Sequence, residues 1–309
     1  MKFFSPRQTP TQNITFIALM AGFDAILCLI GALVPLSSIF LMLLVPLVSA
    51  AVALFCQGRY LAIYILGAIG VSLAFSAWNI MNTLFYLIPG LLVGVTYGLL
   101  WKLKLPTSIN VFLVTLLAFL LFYASIYLMK LLFDGVDMVN VLLTFVGRGN
   151  DAISRQIFPL FAFAYSLAQI VITHIFVTYE LERMGIEEIE GGKLVPYYPL
   201  LGIALLGAAI GIGFAYVPLA YFFLGLGVYW AAISASDLHP RIHPFTFVFL
   251  ALSAGASILF FALLYAKMPK ATGLLLLVIP SSLLCLSVLI NRLFLRLRDK
   301  KGPRPARYE

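Results

Sequence analysis
The chain has 309 residues, of which 63% are hydrophobic and only 10% charged; its mean hydropathy is +1.07 and its net charge +8. A soluble domain is about 45–50% apolar and about 25% charged, so there is too little polar surface here to cover a water-soluble globule. The composition excludes a nucleic-acid-binding domain, a disordered chain and a secreted disulfide scaffold, and predicts an all-α, polytopic transmembrane helical bundle in contact with the lipid bilayer.

A helix needs about 20 apolar residues to cross a bilayer. Taken in chain order, the apolar runs predict spans over 14–34, 38–56, 60–78, 84–101, 109–132, 158–179, 199–216, 219–235, 246–266 and 271–292. Backbone groups cannot stay unpaired in lipid, and the alternation of barrel strands is absent, so these are read as helices. The first run is longer than a signal-peptide core and lacks a small-residue cleavage site, so it is read as retained. Leu200–Ala235 is one long apolar run, which Gly211, Gly213 and Pro218 offer to break in two.

Charge decides the count. With ten spans, Lys2, Arg7, Arg59, Lys102, Lys104, Arg183, Lys193, Arg241 and the C-terminal tail all fall on one side. Merging the seventh and eighth spans would send the basic tail to the other side. The positive-inside rule therefore predicts about 10 spans with both N and C termini cytoplasmic, in the cell (plasma) membrane. From Arg292 to Glu309, seven basic residues stand against Asp299 and Glu309, so this stretch carries +5 of the +8. A basic cluster just after an apolar span marks the cytoplasmic surface and its anionic lipid; no nucleic-acid partner is read from it. Cys28, Cys56 and Cys285 sit in apolar stretches and read as small core residues.

Two connections are long. Leu132–Ile157 mixes Asp134, Asp137, Arg148, Asp151 and Arg155 with Val139, Leu142, Leu143 and Val146, a pattern that suits an interfacial helix or lid, or a surface loop with one packed face. Tyr179–Pro196 is rich in glutamate and is expected to prolong the sixth span into water as far as Gly191-Gly192. The composition break at Pro196 divides the chain into a six-span front half, 1–196, a four-span back half, 197–295, and a basic tail, 296–309.

Few polar groups lie inside the spans. Asp24 sits near the middle of the first, where a carboxylate costs several kcal/mol unless protonated or paired. It reads either as a ligand, proton, cation or partner contact, or as a neutral or paired group tying helices together. His174 and Gln169 lie on the sixth span, where a hydrogen-bonded core histidine is the plainer reading. Asn79 and Asn82, flanked by Trp78 and Tyr86, suit an aromatic interfacial belt or the rim of a substrate pocket. Small residues recur at helical spacing: Ala18 and Gly22, Ala21 and Ala25, Gly90, Gly94 and Gly98, and Gly207 and Gly211. Such faces let backbones approach closely, and internal packing is expected for most of them.

Several chemistries are missing. His239 and His243 would share a helix face, but Pro240 and Pro244 argue against a helix and no third ligand is near, so no metal or cofactor site is read. Glu187-Glu188 lies in a polar segment without the histidines of an intramembrane protease. Gly147–Asn150 is too short for a phosphate loop, and no nucleophile elbow or Walker motif occurs. An enzyme is therefore disfavoured, and ATP-driven work would need another subunit.

The order from Ile14 to Pro106 is a small-residue first span (Ala18 to Ala25), a break at Pro35, Leu43-Leu-Val-Pro46-Leu, Gly58-Arg59, and then Ile88-Pro89-Gly90 before a glycine-faced span. It resembles the YybS-like bacterial membrane family, whose function is unknown. It is also similar to the S components, the membrane substrate-binding parts of energy-coupling-factor transporters. The stretches Ile157–Leu160 and Tyr179–Gly185 look YybS-like as well. The S-component resemblance implies an Ala21/Ala25 face that docks a membrane coupling subunit with its ATPase. It also implies a small-molecule ligand held at the outer ends of the front helices. S components usually have six spans, and the four extra ones have no role under this resemblance. Together these readings predict a small-molecule binding or transport component without its own ATPase, with Asp24, Asn79 and Asn82 near the ligand. The alternatives are a membrane interaction or scaffold protein working through Tyr179–Gly192 and the tail, and a handler of lipid-linked substrates.

Overall fold
The computed structural model describes residues 6–34, 37–133, 137–145, 151–183, 195–236 and 273–300. Every regular element among them is helical. Eight helical stretches are long and apolar enough to cross a membrane, and a shorter one, Leu44–Phe55, is equally apolar. The chain is an integral, multi-pass helical membrane protein. The ninth expected span, 246–266, and the residues Glu187, Glu188, His239 and His243 lie outside the described residues.

The helices fall into two compact units: residues 1–149 with 162–192, and residues 150–161 with 193–309. The first unit opens with α1, Pro10–Leu33. Its start is written in the sequence: Thr9 Oγ1 accepts from the Gln12 amide at 3.3 Å, Gln12 Oε1 accepts from the Thr9 amide at 3.4 Å, and Pro10 fills the first helical position. At about 1.5 Å per residue its 24 residues span roughly 36 Å, enough to cross a bilayer. The following α2, Ser37–Phe55, contains Pro46. A 3₁₀ turn, Gly58–Tyr60, leads into α3, Leu61–Phe75. A single turn, α4 (Ile80–Asn82), and a π-helical turn, Thr83–Leu87, precede α5, Ile88–Lys102. The long α6, Thr107–Leu132, completes the front set.

The α2–α5 seam explains the glycine spacing. A Cβ at Gly94 would stand 2.0 Å from Ser49 Oγ and 2.1 Å from the Pro46 carbonyl oxygen, and one at Gly98 would stand 2.6 Å from Ala53 Cβ. Only glycine lets the two backbones come this close. Ser49 Oγ donates to the Val45 carbonyl at 2.9 Å and lies 3.3 Å from the Gly90 carbonyl across the seam. The opposite result holds in the second unit. Gly207 and Gly211 face open space, whereas Gly202 and Gly227 carry the tight contacts; a Cβ at Gly227 would stand 2.6 Å from Leu206 Cγ.

Two expectations are refined by the elements themselves. The connection after α6 contains a real helix, α7 (Met138–Phe145), which buries Met138 and Leu143 and exposes Val141. The sixth span is longer than its apolar core: α8 runs Ala152–Glu182, with Phe161 and earlier residues in the second unit and Ala162 onward in the first. In the second unit, Leu200–Ala235 is two helices, α9 (Tyr198–Gly213) and α10 (Val217–Ser236). The Ala215 and Tyr216 amides both close on the Ile212 carbonyl, at 2.9 and 2.8 Å, and Pro218 opens the next helix. The last helix, α11 (Val278–Lys300), joins them. Leu206, Ala209, Tyr221, Leu224 and Val278 form a buried cluster there, with Ile157 and Leu160 packed against it.

Candidate functional site
The polar groups of the first unit sort into levels. At one end, the Arg7 amide donates to the Phe55 carbonyl at 2.8 Å, and Asn13 Oδ1 accepts from the Gln57 amide at 3.0 Å. Lys102 Nζ donates to the Cys56 carbonyl at 3.0 Å. Arg7 and Lys102, which alternating topology assigns to one side, thus meet at one end of this unit, beside the turn that carries Arg59.

Asp24 lies farther along α1 and is fully buried. Tyr64 Oη on α3 donates to Asp24 Oδ2 at 2.5 Å, and Asp24 Oδ1 is buried with no hydrogen-bond partner among the described residues. One turn beyond Asp24, Cys28 Sγ lies 3.5 Å from both Ser76 Oγ and Thr83 Oγ1, which are themselves 3.2 Å apart. The buried face of α1 therefore reads Asn13, Asp24, Cys28 from one end to the other, with apolar residues between.

The remaining expected residues are not gathered around Asp24. Asn79 is half-buried at the far end of α3, where its amide donates to the Ser76 carbonyl at 2.8 Å. The side chain of Asn82 lies outside the described ones. Ala21 and Ala25 are 5% and 3% exposed, inside the unit, so they form no open face for a docking subunit in this conformation. The small residues that α1 leaves open are Ala18, which is exposed, and Gly22, where a Cβ would meet nothing within 4 Å.

That open face borders a groove of about 770 Å³ between α1, α2 and the C-terminal part of α8. Phe23 of α1, Ala51 and Leu54 of α2, and Phe176 of α8 line it, and its surface is apolar apart from Glu180. Glu180 Oε1 accepts from Arg183 Nη1 at 2.9 Å, and Arg183 is well exposed. The groove was not legible in the sequence, because its walls come from segments more than a hundred residues apart.

His174 is hydrogen-bonded, as expected of a core histidine. Its Nδ1 lies 2.7 Å from Tyr97 Oη, and the Trp101 ring centroid is 6.0 Å away. It ties α8 to α5 rather than joining Asp24 or Asn79.

Fold and site together define a helical multi-pass membrane protein with an open apolar groove and a buried acid. No family model matches the chain, and no curated protein and no solved structure is similar to it.

Proposed function
We propose that the chain is a small-molecule binding component of a membrane transport system, and that its ligand is an amphiphile held by the α1–α2–α8 groove. The observation that carries this reading is the groove itself. Its volume falls in the range of ligand pockets, about 300–1,000 Å³. Its walls are apolar apart from Glu180, which is paired with Arg183 just outside the lining. An apolar body along Gly22 and Phe23 with a polar end near Arg183 satisfies both. A lipid-linked molecule is the limiting case of the same chemistry. The S-component resemblance, the absence of a nucleotide motif in the sequence, and a partner ATPase belong to this proposal. So do the ten-span topology with cytoplasmic termini and placement in the plasma membrane, which the charge alternation supports.

Native mass spectrometry of the protein extracted in mild detergent tests it. A discrete amphiphile should accompany the wild-type chain and be lost in Gly22→Leu, which adds a side chain to the groove lining at a position where a Cβ meets nothing within 4 Å. Identical adducts in both proteins would refute the reading. A second reading, docking of a partner helix, is favoured by the open Ala18/Gly22 pair, which suits close helix approach. It predicts that Gly22→Leu releases a co-purified protein instead of a small molecule.

A further inference from the structure
Asp24 is placed to do more than hold two helices together. Its two oxygens are served unequally, and a bare oxygen on a buried ionisable group leaves room for a proton. Here Tyr64 serves Oδ2 alone, and Oδ1 is buried and bare among the described residues. No cation among them reaches it. From α3 it is faced by Tyr64, and no charged residue occurs between Leu61 and Phe75. The α2 sequence has no acidic or basic residue. The π turn offers only Tyr86. At the Arg7 end of the unit, Arg59 is stacked on Tyr60 at 4.9 Å, Arg7 on Phe16 at 4.5 Å, and Lys102 is bonded to the Cys56 carbonyl. On α1 itself the next titratable group is Cys28, one turn on, held by Ser76 and Thr83.

A second observation lies on α3. Tyr64, Ala68 and Ser72 follow one another at helical spacing and are all fully buried, so Ser72 stands two turns beyond Tyr64 on the face that meets α1. Its Oγ is likewise buried with no partner among the described residues. Ser76 comes one turn later and opens the Ser76–Thr83–Cys28 cluster, next to half-buried Asn79. Hydroxyls can accept a proton on one lone pair and release their own. Ser72 and Ser76 follow Tyr64 along α3 toward its C-terminal end, where Ser76 Oγ meets Thr83 Oγ1 at 3.2 Å; Ser72 Oγ is bonded neither to Asp24 nor to Ser76.

We propose that Asp24 is a reversible proton-binding site that exchanges its proton with the Asn79 end of the first unit through the hydroxyls of Ser72, Ser76 and Thr83. On release, the proton passes from the carboxyl toward Ser72, Ser76 and Thr83, with water entering to bridge the gaps between these hydroxyls, and out to bulk water. The carboxylate left behind keeps the Tyr64 hydroxyl as its donor, and no electrons are transferred. The site is independent of the groove, so loss of the amphiphile leaves this proposal untouched.

Infrared difference spectra of the full chain in liposomes, taken between acidic and alkaline buffer, test it. The wild type should show a carboxylic C=O band that shifts in D₂O, is absent in Asp24→Asn and is displaced in Tyr64→Phe. A wild-type spectrum identical to that of Asp24→Asn overturns the site. If Asp24→Asn does not fold, a band that Tyr64→Phe leaves in place overturns it equally. Ser72→Ala and Ser76→Ala should slow deuterium exchange of the band on the order of tenfold, a barrier change of about 1.4 kcal/mol. Unchanged exchange in both overturns the route.

Discussion

The α2–α5 seam makes the sharpest structural prediction. Replacing Gly94 by alanine adds one Cβ, which would stand 2.0 Å from Ser49 Oγ, 2.1 Å from the Pro46 carbonyl oxygen and 2.8 Å from the Pro46 carbonyl carbon. Ordinary contact begins at 3.4 Å, so the new atom is more than 1 Å too close to backbone. Ser49 could rotate away, but it would lose its bonds to Val45 and across to Gly90. Pro46 cannot move, because its ring and its carbonyl belong to the helix itself. The helices must separate, and overpacking of this kind costs about 1–3 kcal/mol. With backbone as the obstacle, Gly94→Ala should lie at the upper end, near 3 kcal/mol. The control is Gly70→Ala on α3, where a Cβ meets nothing within 4 Å. There the gain in helix propensity should stabilise by about 0.5–1 kcal/mol. Reversible unfolding in mixed detergent, read by circular dichroism, measures both. Equal stability of Gly94→Ala and Gly70→Ala would refute the seam.

The second unit repeats the contrast: Gly227→Ala, whose Cβ would press on Leu206, should lose about 1–3 kcal/mol in the same assay, while Gly207→Ala should lose nothing. Removing the Tyr64 hydroxyl by Tyr64→Phe takes the donor that serves Asp24 Oδ2 and should cost roughly 1 kcal/mol of unfolding free energy, the usual scale for a hydrogen bond between helices in a membrane. Thr9→Ala breaks the capping box of α1 and should cost about 1 kcal/mol, visible as faster amide exchange confined to the first turn of that helix.

Helices were legible in this chain because lipid leaves the backbone no other partner, so apolar length alone announces them. The break of Leu200–Ala235 was legible too, since Gly211, Gly213 and Pro218 mark a turn and the tail charge demands one. Gly90, Gly94 and Gly98 announced a seam by their spacing. The same spacing misled at Gly207 and Gly211, because a small-residue face is used only if a neighbour stands opposite it, and here the close approaches fall on Gly202 and Gly227. Asp24 drew attention as the lone acid of its span. Its partner Tyr64 did not, since an isolated tyrosine in an apolar helix looks like any other aromatic. Ala21 and Ala25 were singled out for their spacing, but whether a face is covered or open depends on which way the helix is rotated, and that is set by Asn13, Asp24 and Cys28 turning inward. The small helix Met138–Phe145 and the groove come from contacts that no local pattern records.

The shared helix α8 has a consequence for biosynthesis. Its first ten residues, to Phe161, belong with chain that the ribosome has not yet made, since the cluster that Ile157 and Leu160 join begins at Leu206. The rest of α8 belongs with helices already synthesised. The nascent chain must therefore carry a half-committed helix, packed at its later end and bare at its earlier one, until α9 and α10 emerge.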